Sequence, residues 1–234
     1  MWNILAWITI CLAILSAIYL GIQGYRRPAK MKIMNVVWVL TGLWASILGV
    51  WAYFRLNESP MVMEKPAEKE KMNMGASMSG MNMTSDKPLW ERVALSSLHC
   101  GAGCVLADLI GETLGFYLFR QITGWSIVWQ WILDYFFALM IGAFFQYAVI
   151  HKMVHLSKPA AFWKALKIDF LSLTGWQTGM YGFMYIVFFV SPGIVFTANE
   201  MIFWWIMQLA MLSGFIIAYP INWVLIKSGY KPSM

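Results

Sequence analysis

The stretch HCGAGCVLADLIGE, residues 99–112, places soft metal ligands and proton carriers inside an apolar part of the chain. Residues four apart lie on one face of a helix, so Cys100, Cys104 and Asp108 form a polar stripe, which Glu112 extends by one turn. Thiolates are soft ligands that select Cu(I), and carboxylates at membrane depth usually mark an ion path or a proton relay. The spacing therefore predicts a soft-metal site beside a path for protons or for the ion itself.

His99 lies off this face and could complete the metal site only if the helix were unwound at Gly101 and Gly103. The segment also contains small residues, which let a neighbouring helix approach closely. They are Gly101, Gly103, Ala107, Gly111 and Gly115. A second interpretation of the stripe is therefore close helix packing, with the carboxylates hydrogen-bonded near the lipid headgroups.

Methionine recurs in a polar segment that has no other large apolar side chain after Val62. A core or a helix seam would also use Leu, Ile and Phe, whereas thioethers on a flexible chain can capture Cu(I) or Ag(I) weakly. The alternative is a low-complexity linker that is simply rich in methionine. The methionines expected to collect metal are Met61, Met63, Met72, Met74, Met78, Met81 and Met83.

The composition indicates that these motifs belong to an all-α, multi-pass membrane protein in contact with the lipid bilayer. Of 234 residues, 60% are hydrophobic and 12% are charged, against about 25% charged in soluble domains. Apolar runs near the roughly 20 residues that span hydrocarbon recur along the chain. The net charge is +6, but the basic residues lie mainly between the apolar runs, where they set orientation. No nucleic-acid partner is expected.

The apolar runs predict about six transmembrane helices, near residues 2–24, 34–54, 93–119, 126–150, 167–190 and 200–226. They divide the chain into an N-terminal transmembrane hairpin (1–55), a Met-rich flexible linker (56–92) and a four-helix membrane core (93–234). Cys11 stands alone in the first run and is expected to be a buried, inert thiol. The basic residues leave open on which side of the membrane the linker lies.

Polar or soft residues also mark the other core spans, so that the bundle could line a conduction path. The residues expected to form the transport path or proton relay are Asp108, Glu112, Asp134, Asp169, Gln177 and Met180. Methionines in the last span could equally serve only to fill space.

Four segments resemble a bacterial polytopic membrane family catalogued as domain of unknown function 4396. They are LHCGAGCVLADLIGE, LDYFFALMIGAFFQY, DFLSLTGWQTGMYGFM and AYPINWVLIKSGYK, and the resemblance covers residues 90 to 234 approximately. It implies a membrane protein of four core helices and implies no activity. The family's motif residues correspond to His99, Cys100, Cys104, Asp108, Glu112, Asp134, Gln146, Asp169, Trp176, Gln177, Pro220 and Asn222.

We therefore expect a bacterial cell-membrane protein that transports or delivers a soft metal ion, Cu(I) first, rather than an enzyme. Cys100, Cys104 and His99 are the expected metal ligands in the core, and Cu(I) is the expected ion. Two other classes stay open: a thiol–disulfide redox protein that uses Cys100 and Cys104, and a structural subunit of a membrane assembly. The choice among Cu(I), Ag(I) and zinc stays open, as does assembly as a homo-oligomer.

Overall fold

The chain folds into six α-helices within the residues described by a computed structural model, which are 2–29, 32–57, 87–119, 126–153, 157–190 and 198–231. The helices are α1 (Trp2–Arg26), α2 (Lys32–Leu56), α3 (Leu89–Leu114), α4 (Ile127–Met153), α5 (Lys158–Tyr185) and α6 (Met201–Lys227). π-Helical turns continue α3 over Gly115–Phe119 and α5 over Ile186–Val190. The predicted all-α class and the number of helices are confirmed.

Five of these six helices are long and apolar enough to cross a membrane, so the protein is a multi-pass membrane protein. Among the described residues, α5 is the helix that does not qualify. It begins at Lys158, about nine residues before the predicted start of the fifth span, and so includes Lys164 and Lys167. Asp169 and Gln177 follow within the same helix. Its apolar character is therefore lower than that of the other five helices.

The last four helices form a bundle in which α3 is the most buried membrane span. Helix α3 packs against α4, α5 and α6, and α5 lies between α4 and α6 in sequence and contacts both. Helices α1 and α2 pair closely, since a side chain at Gly42 would lie 2.9 Å from the Ala17 backbone. This pair rests on α3 and α6. The core helix α3 is thus enclosed on several sides, which positions its polar stripe inside protein rather than lipid.

Specific contacts attach the α1–α2 pair to the bundle. The rings of Trp44 and Trp176 meet edge to face, with centroids 5.7 Å apart. Gln208 Nε2 donates a hydrogen bond to the carbonyl of Leu43 at 3.0 Å. At the end of α2, Arg55 pairs with Glu91 at 3.0 Å. The N-terminal hairpin is therefore packed onto the core by both apolar and polar contacts.

The outer face of α1 is apolar and exposed, as expected for a helix in contact with lipid. Cys11 lies on an exposed position of this helix. The expectation that Cys11 is buried is wrong, because the buried face of α1 uses small residues such as Ala6, Ala13 and Ala17 to approach its neighbours. Those residues leave the larger apolar side chains, and Cys11 with them, on the outside.

Candidate functional site

The polar stripe of α3 lies inside the helical bundle. Cys100 and Cys104 are 1% and 0% exposed, and Asp108 and Glu112 are 2% and 8% exposed. All four belong to one continuous helix, Leu89–Leu114, so the four-residue spacing keeps them along one side of it. Two thiols and two carboxyl groups thus follow one another through the interior.

Glycines bring carboxylates of the neighbouring helices against this stripe. A side chain at Gly111 would collide with the Asp134 carboxylate, and one at Gly142 would collide with the Asp169 carboxylate. At the second of these points, a side chain at Gly103 would lie 3.2 Å from the Cα of Gly142. Since only glycine leaves this room, α3 and α4 approach closely at Gly103 and Gly111, and Asp169 of α5 packs against α4 at Gly142.

Glu112 and Asp134 form a pair of carboxyl groups at the far end of the stripe. Their carboxyl groups lie within hydrogen-bonding reach of each other, and Gln130 Nε2 donates to Asp134 Oδ1 at 3.0 Å. Two carboxyl groups can share a hydrogen bond only when one of them carries a proton. Asp108 lies within electrostatic range of this pair, and neither of its oxygens has a hydrogen-bond partner among the described residues. This arrangement can hold and pass a proton.

The other end of the stripe, at Cys100, contains a buried lysine that the sequence did not single out. Lys231 is 2% exposed, and its Nζ donates hydrogen bonds to Asn222 Oδ1 at 2.7 Å and to Ser172 Oγ at 3.1 Å. Ser172 also lies within hydrogen-bonding reach of the Cys100 side chain. Burial lowers the pKa of Lys231 below its ordinary value, while the nearby Cys100 and Asp169 oppose that shift.

Asn222 is oriented for this contact by its own helix. Its Nδ2 donates to the carbonyl of Ala218 at 3.0 Å, which turns Oδ1 towards Ser172 and Lys231. Pro220 lies inside α6 between these residues, where it removes a backbone hydrogen bond. The motif residues Pro220 and Asn222 therefore lie at the end of the core where the lysine enters.

His99 is buried but lies off the thiol stripe. It is 2% exposed, and its ring packs against Phe145 with centroids 5.8 Å apart. The ring approaches the Phe145 backbone, yet neither ring nitrogen reaches hydrogen-bonding geometry with a described residue. Because α3 stays helical through Gly101 and Gly103, the unwinding that would turn His99 towards Cys100 is not present.

Within the described part of the chain, no group of three or more His, Cys, Asp and Glu side chains is close enough to hold a metal ion. The structure therefore does not assemble His99, Cys100 and Cys104 into a three-ligand site. The methionines predicted to collect metal between residues 61 and 83 lie outside the described residues.

The remaining predicted path residues of α5 are also buried. Gln177 and Met180 are 2% and 1% exposed, and neither amide atom of Gln177 has a hydrogen-bond partner among the described residues. On α4, Gln146 is 1% exposed and its Nε2 has no partner there either. Buried polar groups usually have partners, and these amide groups lie in the bundle interior without one among the described residues.

A cavity of about 200 Å³ lies between the N-terminal hairpin and the core. Ala13 and Trp44 line it from the hairpin, and Asp108, Met207 and Met211 line it from the core. The thioethers of Met207 and Met211, four residues apart on α6, therefore face the side of α3 that carries the Asp108 carboxylate. The predicted space-filling role of these methionines is consistent with the apolar character of the lining.

The signal that could have found Lys231 was present in the sequence. The last resembling segment, AYPINWVLIKSGYK, ends on it, and Gly229 two residues earlier provides the turn that folds it back. Gln130 was likewise missed; it lies four residues before Asp134, a spacing that places both on one face of α4.

The fold and the buried site together define a multi-pass helical membrane protein whose core bundle encloses thiols, carboxyl groups and a lysine. The chain belongs to the family described as Domain of unknown function (DUF4396), whose profile matches residues 89–231. The match begins where α3 begins and ends at Lys231, which confirms the resemblance seen in the sequence. Neither a curated protein nor a solved structure matches the chain.

Proposed function

We propose that the protein is a transporter of a soft monovalent cation, Cu(I) in the first instance, in the bacterial cell membrane. The observation that carries this proposal is the pair Cys100 and Cys104. The two thiols lie one turn apart on a membrane-spanning helix and are 1% and 0% exposed. Thiolates select soft ions, and the burial of this pair in the membrane core supports a role in the passage of such an ion.

The number of ligands favours Cu(I) or Ag(I) over zinc. A structural zinc site needs four ligands and a catalytic one needs three, whereas the described residues hold no group of even three His, Cys, Asp and Glu side chains. A monovalent soft ion can be held by two thiolates.

The carboxyl groups support a route for protons beside the thiols. Each thiol that binds the ion forms one sulfur–metal bond and releases one proton. Asp108 lies one turn from Cys104 on α3, and Glu112 and Asp134 lie beyond Asp108. These three carboxyl groups can accept the released protons one after another. Release of the ion returns the protons to the sulfur atoms, so charge and protons balance over the cycle.

The methionines between residues 61 and 83 would act before the core. Thioethers are neutral ligands that hold Cu(I) less tightly than thiolates do, so they would collect the ion and pass it to Cys100 and Cys104. This part of the proposal rests on the sequence alone.

Anaerobic titration of the purified, reduced protein with Cu(I), against a competing chelator, tests the proposal. We expect stoichiometric binding that is lost in the Cys100→Ser/Cys104→Ser variant and retained in Cys11→Ser, because Cys11 lies on the exposed face of α1. A variant lacking residues 61–83 should keep the tight site and lose weaker ones.

Wild-type protein that binds no Cu(I) tightly would overturn the proposal. A metal-free, reversible two-electron oxidation of Cys100 and Cys104 would then favour the thiol–disulfide alternative. The three variants distinguish these outcomes because only the double cysteine variant removes both chemistries.

A further inference from the structure

The chain folds back after α6 and inserts the side chain of Lys231 into the core. Helix α6 ends at Lys227, and Gly229 adopts a left-handed conformation with φ of 73°. The amide of Gly229 donates to the carbonyl of Ile226 at 3.0 Å, and the amide of Lys231 donates to that of Leu225 at 3.0 Å. This hydrogen-bonded turn directs Lys231 inwards, where it is 2% exposed.

The ammonium group of Lys231 lies in a site built by two helices. It donates to Asn222 Oδ1 at 2.7 Å and to Ser172 Oγ at 3.1 Å, and Ser172 Oγ donates to Asn222 Oδ1 at 2.8 Å. Both helix residues are 0% exposed. Two neutral oxygen atoms therefore hold the ammonium group in place.

The same site adjoins the proposed metal ligands. Cys100 and Asp169 can each carry a negative charge, and both lie within electrostatic range of Lys231. Ser172, which accepts a hydrogen bond from the lysine, also lies within reach of Cys100. A second positive charge placed beside a buried ammonium is repelled strongly, since the interior screens charges poorly. A cation bound at Cys100 and the ammonium of Lys231 therefore compete for the same region.

We propose that Lys231, held by Ser172 and Asn222 beside Cys100, occupies the region of the proposed thiol site at rest, and that the transported cation displaces this ammonium. The inference rests on the proposed function and adds how the binding of the transported cation is regulated. Departure of the ammonium as the cation arrives avoids placing two positive charges side by side in an interior that screens them poorly. The hydrogen-bonded turn at Gly229 is the segment that moves when the lysine leaves.

Lysine labelling of the wild-type full chain tests the displacement without a substitution. Detergent-solubilised protein is treated with a water-soluble N-hydroxysuccinimide ester, with and without Ag(I), which replaces Cu(I) as a redox-stable probe. Acetylation of Lys231 and Lys227 is measured by mass spectrometry. We expect Ag(I) to increase labelling of Lys231 and to leave that of the exposed Lys227 unchanged. Labelling of Lys231 that stays constant while Ag(I) is bound would overturn the inference and leave the proposed function standing.

A variant tests the competition itself. Lys231→Leu removes the charge and introduces an apolar side chain that is not a metal ligand, and Lys227→Leu is its matched control on an exposed position. We expect Lys231→Leu to bind Ag(I) at least about tenfold more tightly than wild type, and Lys227→Leu to bind like wild type. Equal or weaker binding by Lys231→Leu, with wild-type binding that depends on Cys100 and Cys104, would contradict the inference alone. Absence of Ag(I) binding in both wild type and Lys231→Leu would contradict the inference and the proposed function together.

Discussion

The ring of Trp176 fills the space that a side chain at Gly101 would occupy. A Cβ atom at Gly101 would lie 2.6 Å from Cζ2 of the indole, well inside normal contact distance. Trp176 is 0% exposed and also meets Trp44 edge to face. The contact joins α3 to α5 next to Cys100, so it fixes the position of the thiol stripe relative to the polar groups of α5.

The first prediction concerns this contact. Gly101→Ala should lower the free energy of unfolding by about 2 kcal/mol, because overpacking a well-filled core forces neighbours to shift. Gly182→Ala is the matched control, since a Cβ at that position meets nothing within 4 Å. Because alanine has a higher helix propensity than glycine, this variant should keep or raise the melting temperature. Thermal unfolding in detergent measures both. Equal melting temperatures for the two variants would contradict the packing described.

The second prediction concerns the acceptor of Lys231. Asn222→Ala removes the hydrogen bond of 2.7 Å to a buried charge, and should therefore lower the free energy of unfolding by about 2 kcal/mol. The same substitution made in a Lys231→Met background should cost clearly less, because no charge is then left without its acceptor. A double-mutant cycle on melting temperatures measures the coupling. A cost that is the same in both backgrounds would show that Asn222 does not act through Lys231.

The third prediction separates Asp108 from Asp134. Asp134 accepts a hydrogen bond from Gln130 at 3.0 Å, whereas neither oxygen of Asp108 has a partner among the described residues. Asp134→Ala should therefore be less stable than Asp108→Ala by about 1 kcal/mol. Chemical or thermal denaturation of the two variants in the same detergent provides the comparison. If Asp108→Ala were the less stable of the two variants, Asp108 would have a structural role.

The isosteric variant Asp108→Asn extends this comparison to function. It keeps the shape of the side chain and removes its ability to carry a proton, so it should retain the fold and lose cation transport. Retained transport in this variant would remove Asp108 from the proton route.

The helices could be predicted from the sequence because an apolar run long enough to cross a bilayer has to satisfy its backbone hydrogen bonds internally, which a helix does. The predicted runs agree with α1, α2, α3, α4 and α6 within a few residues. The start of α5 was placed too late, because Lys158, Lys164 and Lys167 read as a loop although they continue the helix. Charge alone does not end a helix when its buried face stays apolar, and Ala161 and Ala165 provide that face.

The candidate site could be predicted only in part. The stripe on α3 follows from four-residue spacing, which is a local property. The residues that contact the stripe at each of its ends depend on which faces of the helices pack together. No local sequence pattern specifies that packing. Lys231 enters the core through a turn beyond the last helix, where a lysine ordinarily faces water. The exposure of Cys11 also depends on packing, since its neighbours in α1 are apolar on every side.

Cation flux in proteoliposomes tests the central claim most directly. Vesicles would hold a membrane-impermeant Cu(I) chelator inside, and Cu(I) would be added outside under anaerobic conditions to wild type, Cys104→Ser and Cys11→Ser. The proposed function predicts that wild type and Cys11→Ser fill the chelator faster than protein-free vesicles and that Cys104→Ser does not. Uptake by wild type at the protein-free rate, or equal uptake by Cys104→Ser, would contradict transport through the thiol stripe.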